Sequence, residues 1–325
     1  MIELKDKNIK MQLSEPDGPC AYYKGVRFDR GGVFRSICCM GRSYADEWFD
    51  DHDSFRHDHI CGPVEEFGPV ARPGGRILKI GVGLLDVCPD ASGLAGIDVI
   101  GQYDRFSLYP VVESGHRSLS ASDDRAVFTH LMPGEYDYVK TVRLTGDCSF
   151  EISHKLCNLG AERLVTDVYN HNFFTLGLQE IGPDRCIEFP FRPAGRWRDD
   201  SVSAYLTDSG IRFSRRIEPG EKAFMGELHD ADENISGLNR NMLCKDGGMA
   251  GVECPASGIQ ACAGGKNGYS FSLSGNSMRL EVRCDAPMDH AVFWSNHRVS
   301  CVEPYIKIDI APGQNFYWTI TWRCL

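Results

Sequence analysis

No stretch of this chain stays apolar for the ~20 residues that a membrane-spanning helix requires. Lysine and arginine form no cluster either: the net charge of −10 is spread without an acidic or basic block, so the footprint of a nucleic-acid binder is missing and no polyanionic partner is expected. Fourteen cysteines are present, yet no C-x-x-C pair occurs and only Cys38 and Cys39 are adjacent, which removes zinc ribbons on spacing. No repeat of fixed period appears, which argues against a propeller or solenoid. Helical periodicity is scarce, its best candidate being a short helix over residues 43–49. The opening, Met1-Ile-Glu-Leu-Lys-Asp-Lys, runs into charges where a signal peptide needs its apolar region. Together with cysteines that sit singly in strand-like runs, as Cys157 and Cys284 do, this predicts reduced thiols and a cytoplasmic protein, and leaves the sequon Asn234-Ile-Ser236 without meaning.

What the chain has is strands and turns. With 42% hydrophobic and 25% charged residues over 325 positions, it is an ordinary globular sequence able to bury a large core. Short runs rich in β-branched and aromatic residues cover 76–85, 125–131, 138–144, 150–156, 202–206, 211–214, 269–273, 278–284 and 316–322. Strict alternation in Phe150-Glu-Ile152-Ser-His154-Lys-Leu156 and in Leu280-Glu-Val282-Arg-Cys284 puts one face in a core and the other among polar groups, the mark of antiparallel sheets. Thr207-Asp-Ser-Gly210 and Ser274-Gly-Asn-Ser277 read as hairpin turns, and Pro133-Gly134, Pro219-Gly220 and Pro312-Gly313 punctuate elsewhere. Residues 247–268, poor in large apolar side chains, read as a long loop within one domain spanning 1–325, not as a linker. A large antiparallel β-sandwich is the architecture that remains.

Two segments carry candidate chemistry. Val168-Tyr-Asn170-His171-Asn172-Phe173-Phe174-Thr-Leu176 sets a histidine and two amides among strand-forming aromatics. Alone, His171 fits a core residue satisfied by hydrogen bonds. Some 130 residues later, Cys301-Val-Glu303-Pro304-Tyr305 precedes the Pro-Gly turn and a final aromatic strand; alone, Glu303 fits an exposed loop carboxylate.

The first segment resembles the Asn-His-(Thr/Ser)-Tyr-Phe-Asn-Leu stretch of galactose mutarotases (aldose 1-epimerases), and the second resembles the Leu-Glu-Pro-Gln stretch of the same family. The strand, Asn158-Leu-Gly160 turn and second strand ahead of His171 fit as well. The resemblance implies the galactose mutarotase-like supersandwich, with His171 as the acid at the sugar ring oxygen and Glu303 as the base at the C1 hydroxyl. Such a pair suffices to open and reclose an aldose ring, so no cofactor and no metal is called for. A neighbouring carboxylate is expected to raise the pKa of His171 toward neutrality. Trp294, Tyr305 and Phe173 could offer flat apolar surface to a sugar ring in an open cleft, or serve as ordinary core.

The richest cluster of ionisable groups, His57-Asp-His59-Ile-Cys-Gly-Pro-Val-Glu65-Glu66-Phe-Gly68, has two readings. Histidines two apart share a strand face and hint at a cupin-type metal site, but five residues before Glu65 is the wrong spacing. In mutarotase-like proteins an arginine and a further histidine come from Asn-Arg-(Ile/Val) and His-Gly-Gly stretches, and both stretches are absent here. Gly62-Pro-Val-Glu-Glu-Phe67 and Tyr23-Lys-Gly-Val-Arg27 instead resemble divergent bacterial members of the superfamily. His57, His59, Glu65, Glu66 and Asn170 are therefore candidate contacts for a small-molecule sugar. Three functional classes follow: an aldose 1-epimerase, a non-catalytic carbohydrate-binding or sugar-phosphate-sensing protein on the same fold, for which Arg192, Arg196 and Arg198 offer a candidate patch, and a metal enzyme using His57 and His59.

Overall fold

The computed structural model describes residues 1–89, 98–198, 203–231 and 268–325. The chain opens with a four-stranded antiparallel sheet, β1 (Ile2–Lys5), β2 (Ile9–Leu13), β3 (Phe34–Cys39) and β4 (Arg42–Ala45), paired in that order. After β5 (Gly62–Phe67), a second small sheet follows in β6 (Val70–Arg72), β7 (Arg76–Lys79), β8 (Gly83–Asp86) and β9 (Val111–Glu113), with the short helix α1 (Val99–Gln102) before its last strand. The chain continues through β10 (His116–Ala121), β11 (Arg125–Met132), β12 (Tyr136–Gly146), β13 (Ser149–Asn158), β14 (Leu164–Phe173), β15 (Cys186–Glu188), β16 (Pro193–Trp197), β17 (Ala204–Thr207), β18 (Gly210–Phe213) and β19 (Ala223–Asp230). It ends with β20 (Tyr269–Gly275), β21 (Met278–Cys284), β22 (His290–Ser295), β23 (Ser300–Ile310) and β24 (Asn315–Cys324).

Two large antiparallel sheets form the sandwich. One has ten strands in the order β10-β11-β12-β13-β24-β21-β20-β15-β18-β17, and the other has six in the order β16-β19-β22-β23-β14-β5. The alternation read from residues 150–156 appears as a strict buried/half-buried pattern along β13. Its inward residues Phe150, Ile152 and Leu156 meet Trp318, Ile320 and Trp322 of β24 in one core. The six-stranded sheet is different. Every residue of β5 is buried, as are the last six of β14 and the first seven of β23, so this part of the sheet is covered on both faces. One cover is the ten-stranded sheet, and the other is the N-terminal third of the chain.

Three expectations need correction or placement. Residues 42–45 form β4, followed by an irregular segment, where a helix was expected; pairing of Ala45 with Ile37 overrides a run that lacks glycine and proline. The run 76–85 divides into two strands because the chain turns at Gly81, whose φ is +80°. The long loop expected at 247–268 and the sequon lie outside the described residues, apart from Gly268. The described cysteines are free thiols, and no described helix is long and apolar enough to cross a membrane.

Candidate functional site

His171 and Glu303 meet because of strand register. Tyr169 pairs with Tyr305 across β14 and β23, and Phe174 bridges Ser300 further on, so the same antiparallel register carries His171 opposite Glu303. Between those two points the backbone ladder opens. Pro304 has no N–H to offer, and the Asn172 side chain fills the gap, donating to Val302 O at 2.7 Å and to Asn170 O at 3.0 Å. Here β14 takes β5 as its partner on the other edge, with Asn170 facing Glu65 and His171 facing Val64.

Alternation then sorts the residues by face. Asn170, Asn172 and Glu65 point into the sandwich. Glu65 is fully buried, held by Lys140 Nζ, by His154 Nε2 at 3.0 Å and by Asn170 Nδ2 at 3.1 Å; Lys140 also reaches Asp29 at 3.5 Å. Burial pushes the Glu65 carboxyl up, but Lys140 and His154 outweigh it and hold it down to about 2. Glu65 and Asn170, expected as candidate sugar contacts, are thus internal ties between the two sheets.

The opposite face carries Tyr169, His171, Phe173, Glu66, Glu303, Tyr305 and Trp294. His171 Nε2 lies 3.0 Å from Glu303 Oε1. The imidazole stacks on Phe173 at 3.8 Å between ring centres, with Phe28 and Trp294 edge-on at 5.8 and 6.0 Å. Trp48 closes the same aromatic layer, stacked on Phe173 at 5.7 Å. Tyr305 stacks between Tyr169 and His290, at 4.3 Å from each.

Glu66 is the anchor of the cationic side. Its Oε2 accepts from Arg27 Nε at 2.6 Å and from the Tyr169 hydroxyl, while Oε1 lies 3.7 Å from both Arg105 and Lys79. Burial raises this carboxyl, yet Arg27, Arg105 and Lys79 together hold it far below the usual range. Arg27 and Arg105, which gather at Glu66 on this face, are the residues of the candidate site that sequence reading missed. Arg27 stands in the Tyr23-Lys-Gly-Val-Arg27 stretch without having been assigned a role. Its aim is set locally: the Tyr23 phenol curls back over Gly25 to accept from the backbone N–H groups of Arg27 and Phe28, both at 3.2 Å. A Cβ on Gly25 would sit 2.4 Å from that phenol oxygen. Arg30 clamps the same turn by donating to Gly25 O and Lys24 O, at 2.9 Å each.

Electrostatics overturn the expected state of the pair. Burial drives the His171 pKa well below its ordinary 6.5, and the charges of Arg27 and Arg105 push it the same way. Burial also raises Glu303 to about 8, against the opposing pull of the two guanidinium groups. Both shifts favour the neutral forms, a protonated carboxyl 3.0 Å from a neutral imidazole. His171 Nδ1, buried, has no hydrogen-bond partner. The pair does not sit in the open cleft that was expected: among the described residues, His171 and Glu303 each keep only 5% of their surface exposed.

The remaining candidates, His57 and His59, are half-buried in the segment before β5. His57 touches Phe106 edge-on at 5.0 Å, whereas His59 stacks on Phe49 at 4.5 Å and accepts from Asp53 N through Nδ1. The two rings thus have separate partners, and among the described residues no cluster of three or more His, Cys, Asp or Glu is arranged to hold a metal ion. Arg196 lies on β16 and Arg198 just beyond it, at the sheet edge opposite β5 and away from the pair; Arg198 covers the Phe224 ring.

The geometry defines a class: an antiparallel sandwich whose six-stranded sheet presents a buried imidazole–carboxyl pair flanked by arginines. Solved structures place it more narrowly. The chain is similar over 99% of its length to a putative aldose 1-epimerase from Escherichia coli K12, covering 98% of that chain with a TM-score of 0.53 at 13% identity. It is similar over its whole length to a galactose mutarotase related enzyme from Lactobacillus acidophilus (97% of that chain, TM-score 0.51, 10% identity) and to a GalM/aldose epimerase homologue from C. elegans (98%, 0.50, 10%). No family model matches the chain, and no curated protein does. The chain has the galactose mutarotase-like fold.

Proposed function

We propose that the chain is an aldose 1-epimerase-like protein that interconverts the α and β anomers of an aldose, with Glu303 and His171 as its acid–base pair. The observation that carries this reading is their direct 3.0 Å opposition on neighbouring strands. Anomer exchange needs one group that gives a proton to the ring oxygen and another that takes one from the C1 hydroxyl. A pair holding a single proton supplies both without a change in net charge. In this reading that proton starts on Glu303, and its passage to Nε2, 3.0 Å away, yields the carboxylate base and imidazolium acid that the family resemblance implies. The Phe173, Trp294 and Tyr305 rings frame the apolar side of the ring site, and Glu66 positions Arg27 beside it.

Because the pair is covered, a pyranose reaches it when the rim of Arg105, Phe106 and His57 moves outward. Phe106 is 59% exposed, and the Arg105 side chain is one-third exposed, so this rim is only lightly packed. Polarimetry on freshly dissolved α-glucose, α-galactose and other aldoses tests the reading: mutarotation faster than the spontaneous rate is expected, and loss of that gain in His171→Ala and Glu303→Ala. Wild-type rates no faster than those of the two variants end it.

The burial of the pair favours a second reading, a non-catalytic sugar-binding or sugar-phosphate-sensing protein on the same fold. Saturable binding of a sugar with no effect on its mutarotation would select it.

A further inference from the structure

A chain of net charge −10 gathers three cations beside the His171–Glu303 pair. Arg27 and Lys79 are buried, and Arg105 lies at the rim. Against these three cations stand Glu66, in contact with all of them, and Asp167, which acts on Lys79 and Arg105 from the neighbouring position on β14. Asp289 is already engaged by Lys307 at 2.7 Å and by His290 at 2.9 Å. Burial brings Lys79 down only to about 8, so it stays mainly cationic at neutrality, while the tyrosines around it are pushed above their ordinary value and remain neutral. His57 and His171 are both held below 6.5 by burial, and Glu303 keeps its proton. Three cations thus share one contacting carboxylate, Glu66, in a site largely closed to water. Such an arrangement is costly unless an anion completes it.

Resting on the anomer-exchange reading of this site, we propose that its substrate is an anionic aldose, one carrying a carboxylate or phosphate away from C1, with Arg105 as the group that receives the anion. Arg105 is the loosest of the three cations. Its contacts to Glu66 and to the Tyr169 hydroxyl are 3.7 and 3.4 Å, and its side chain alone among them reaches solvent appreciably. A guanidinium so placed can turn two N–H groups onto one oxyanion. Spacing agrees. Arg105 donates to the Tyr169 hydroxyl at 3.4 Å, and Tyr169 lies two residues from His171 on the same strand face, about 6.6 Å along the strand. That span sets C1 of a pyranose at the acid–base pair and the far substituent of the ring at Arg105. The patch of Arg196 and Arg198 lies away from the pair and has no such relation to it.

The test compares glucose, glucuronate and glucose 6-phosphate as substrates, following anomer exchange by NMR at low ionic strength. Either anionic sugar is expected to be exchanged with kcat/KM at least about 10-fold above glucose, the scale of one charge-assisted hydrogen bond, and added salt should shrink that advantage. The sugar that wins tells carboxylate from phosphate. Arg105→Ala, and separately Arg105→Gln, should cut the anionic-to-neutral ratio about 10-fold, with thermal melting of each variant showing that it is folded. Glucose exchanged as well as or better than both anionic sugars, or a ratio unmoved in folded Arg105 variants, overturns this inference while leaving the anomer-exchange reading intact. Exchange of none of the three, nor of the wider aldose panel, overturns that reading and this inference with it.

Discussion

Lys140→Met tests the electrostatic frame behind the site. Lys140 is fully buried between the sheets, where its ammonium reaches Glu65, Asp29 at 3.5 Å and Gly31 O at 2.9 Å. Glu65 in turn bonds to Asn170, the residue before His171, so this tie fixes β5 and β14 against the ten-stranded sheet. Glu65 has its carboxyl held from an ordinary 4.5 down to about 2, and at about 1.4 kcal/mol for each tenfold change in proton affinity this corresponds to about 3 kcal/mol. Because the folded value lies below the unfolded one, that contribution is fully present above pH 4.5 and is lost as pH falls through 2. Methionine keeps the volume and removes the charge. Burial of Glu65 is then opposed mainly by His154, and Asp29, already pushed up by burial, loses its largest stabilising charge. Both carboxyls then titrate above their unfolded values, so the penalty is greatest at neutral pH and fades as acid protonates them. Urea unfolding followed by tryptophan fluorescence, with Trp318 stacked on His154 at 4.2 Å as a local reporter, should show a loss of about 3–5 kcal/mol at pH 7 and a smaller gap from wild type at pH 5. A variant within about 1 kcal/mol of wild type at pH 7, or a gap that does not narrow in acid, refutes the reasoning.

Three further outcomes follow from the geometry. Anomer exchange should be flat from pH 6.5 to 7.5 and fall as pH rises through about 8, where Glu303 loses the proton that the pair shares; a decline already under way between pH 7 and 6 would show that His171 titrates where this account holds it neutral. Asn172→Ala leaves the carbonyls of Val302 and Asn170 without their donor across the gap at Pro304 and should cost about 1–3 kcal/mol in urea unfolding. Exchange should fall along with it, since the same amide sets the spacing of His171 and Glu303, and a variant of unchanged stability counts against this role. Gly25→Ala forces the Tyr23 phenol off the Arg27 and Phe28 N–H groups and should cost about 1–3 kcal/mol with a lowered exchange rate; wild-type stability would show that the turn has slack.

Much of the sandwich was legible because its strands are local patterns. Alternation along 150–156 and 280–284 survives as burial patterns on β13 and β21, and the Thr207–Gly210 and Ser274–Ser277 turns do close hairpins. The helix expected at 43–49 failed because Tyr44 and Ala45 are claimed by pairing with β3 and by the core, a tertiary effect invisible in the local run. The meeting of His171 with Glu303 could be anticipated through motif resemblance, while its cause, a shared register interrupted at Pro304, could not. Arg27 and Arg105 escaped notice because they come from irregular segments 39 and 39 residues away from Glu66 on either side, joined to it only in space. Their charges act with burial to lower the His171 pKa, the sense opposite to that expected from a neighbouring carboxylate alone. Glu65 and Glu66 look equivalent in sequence, but alternation sends one into the sandwich and the other to the arginines.

The central claim is that His171 and Glu303 act as one unit on an aldose. Saturation-transfer NMR of anomer exchange, on one panel of neutral and anionic aldoses with wild type, His171→Ala, Glu303→Ala and the double variant, measures this directly. The account predicts enzyme-dependent exchange in wild type, its loss in either single variant, and a double variant no slower than the singles, because each proton transfer needs the other. Losses that instead multiply in the double variant, or exchange that persists in folded Glu303→Ala, would contradict it.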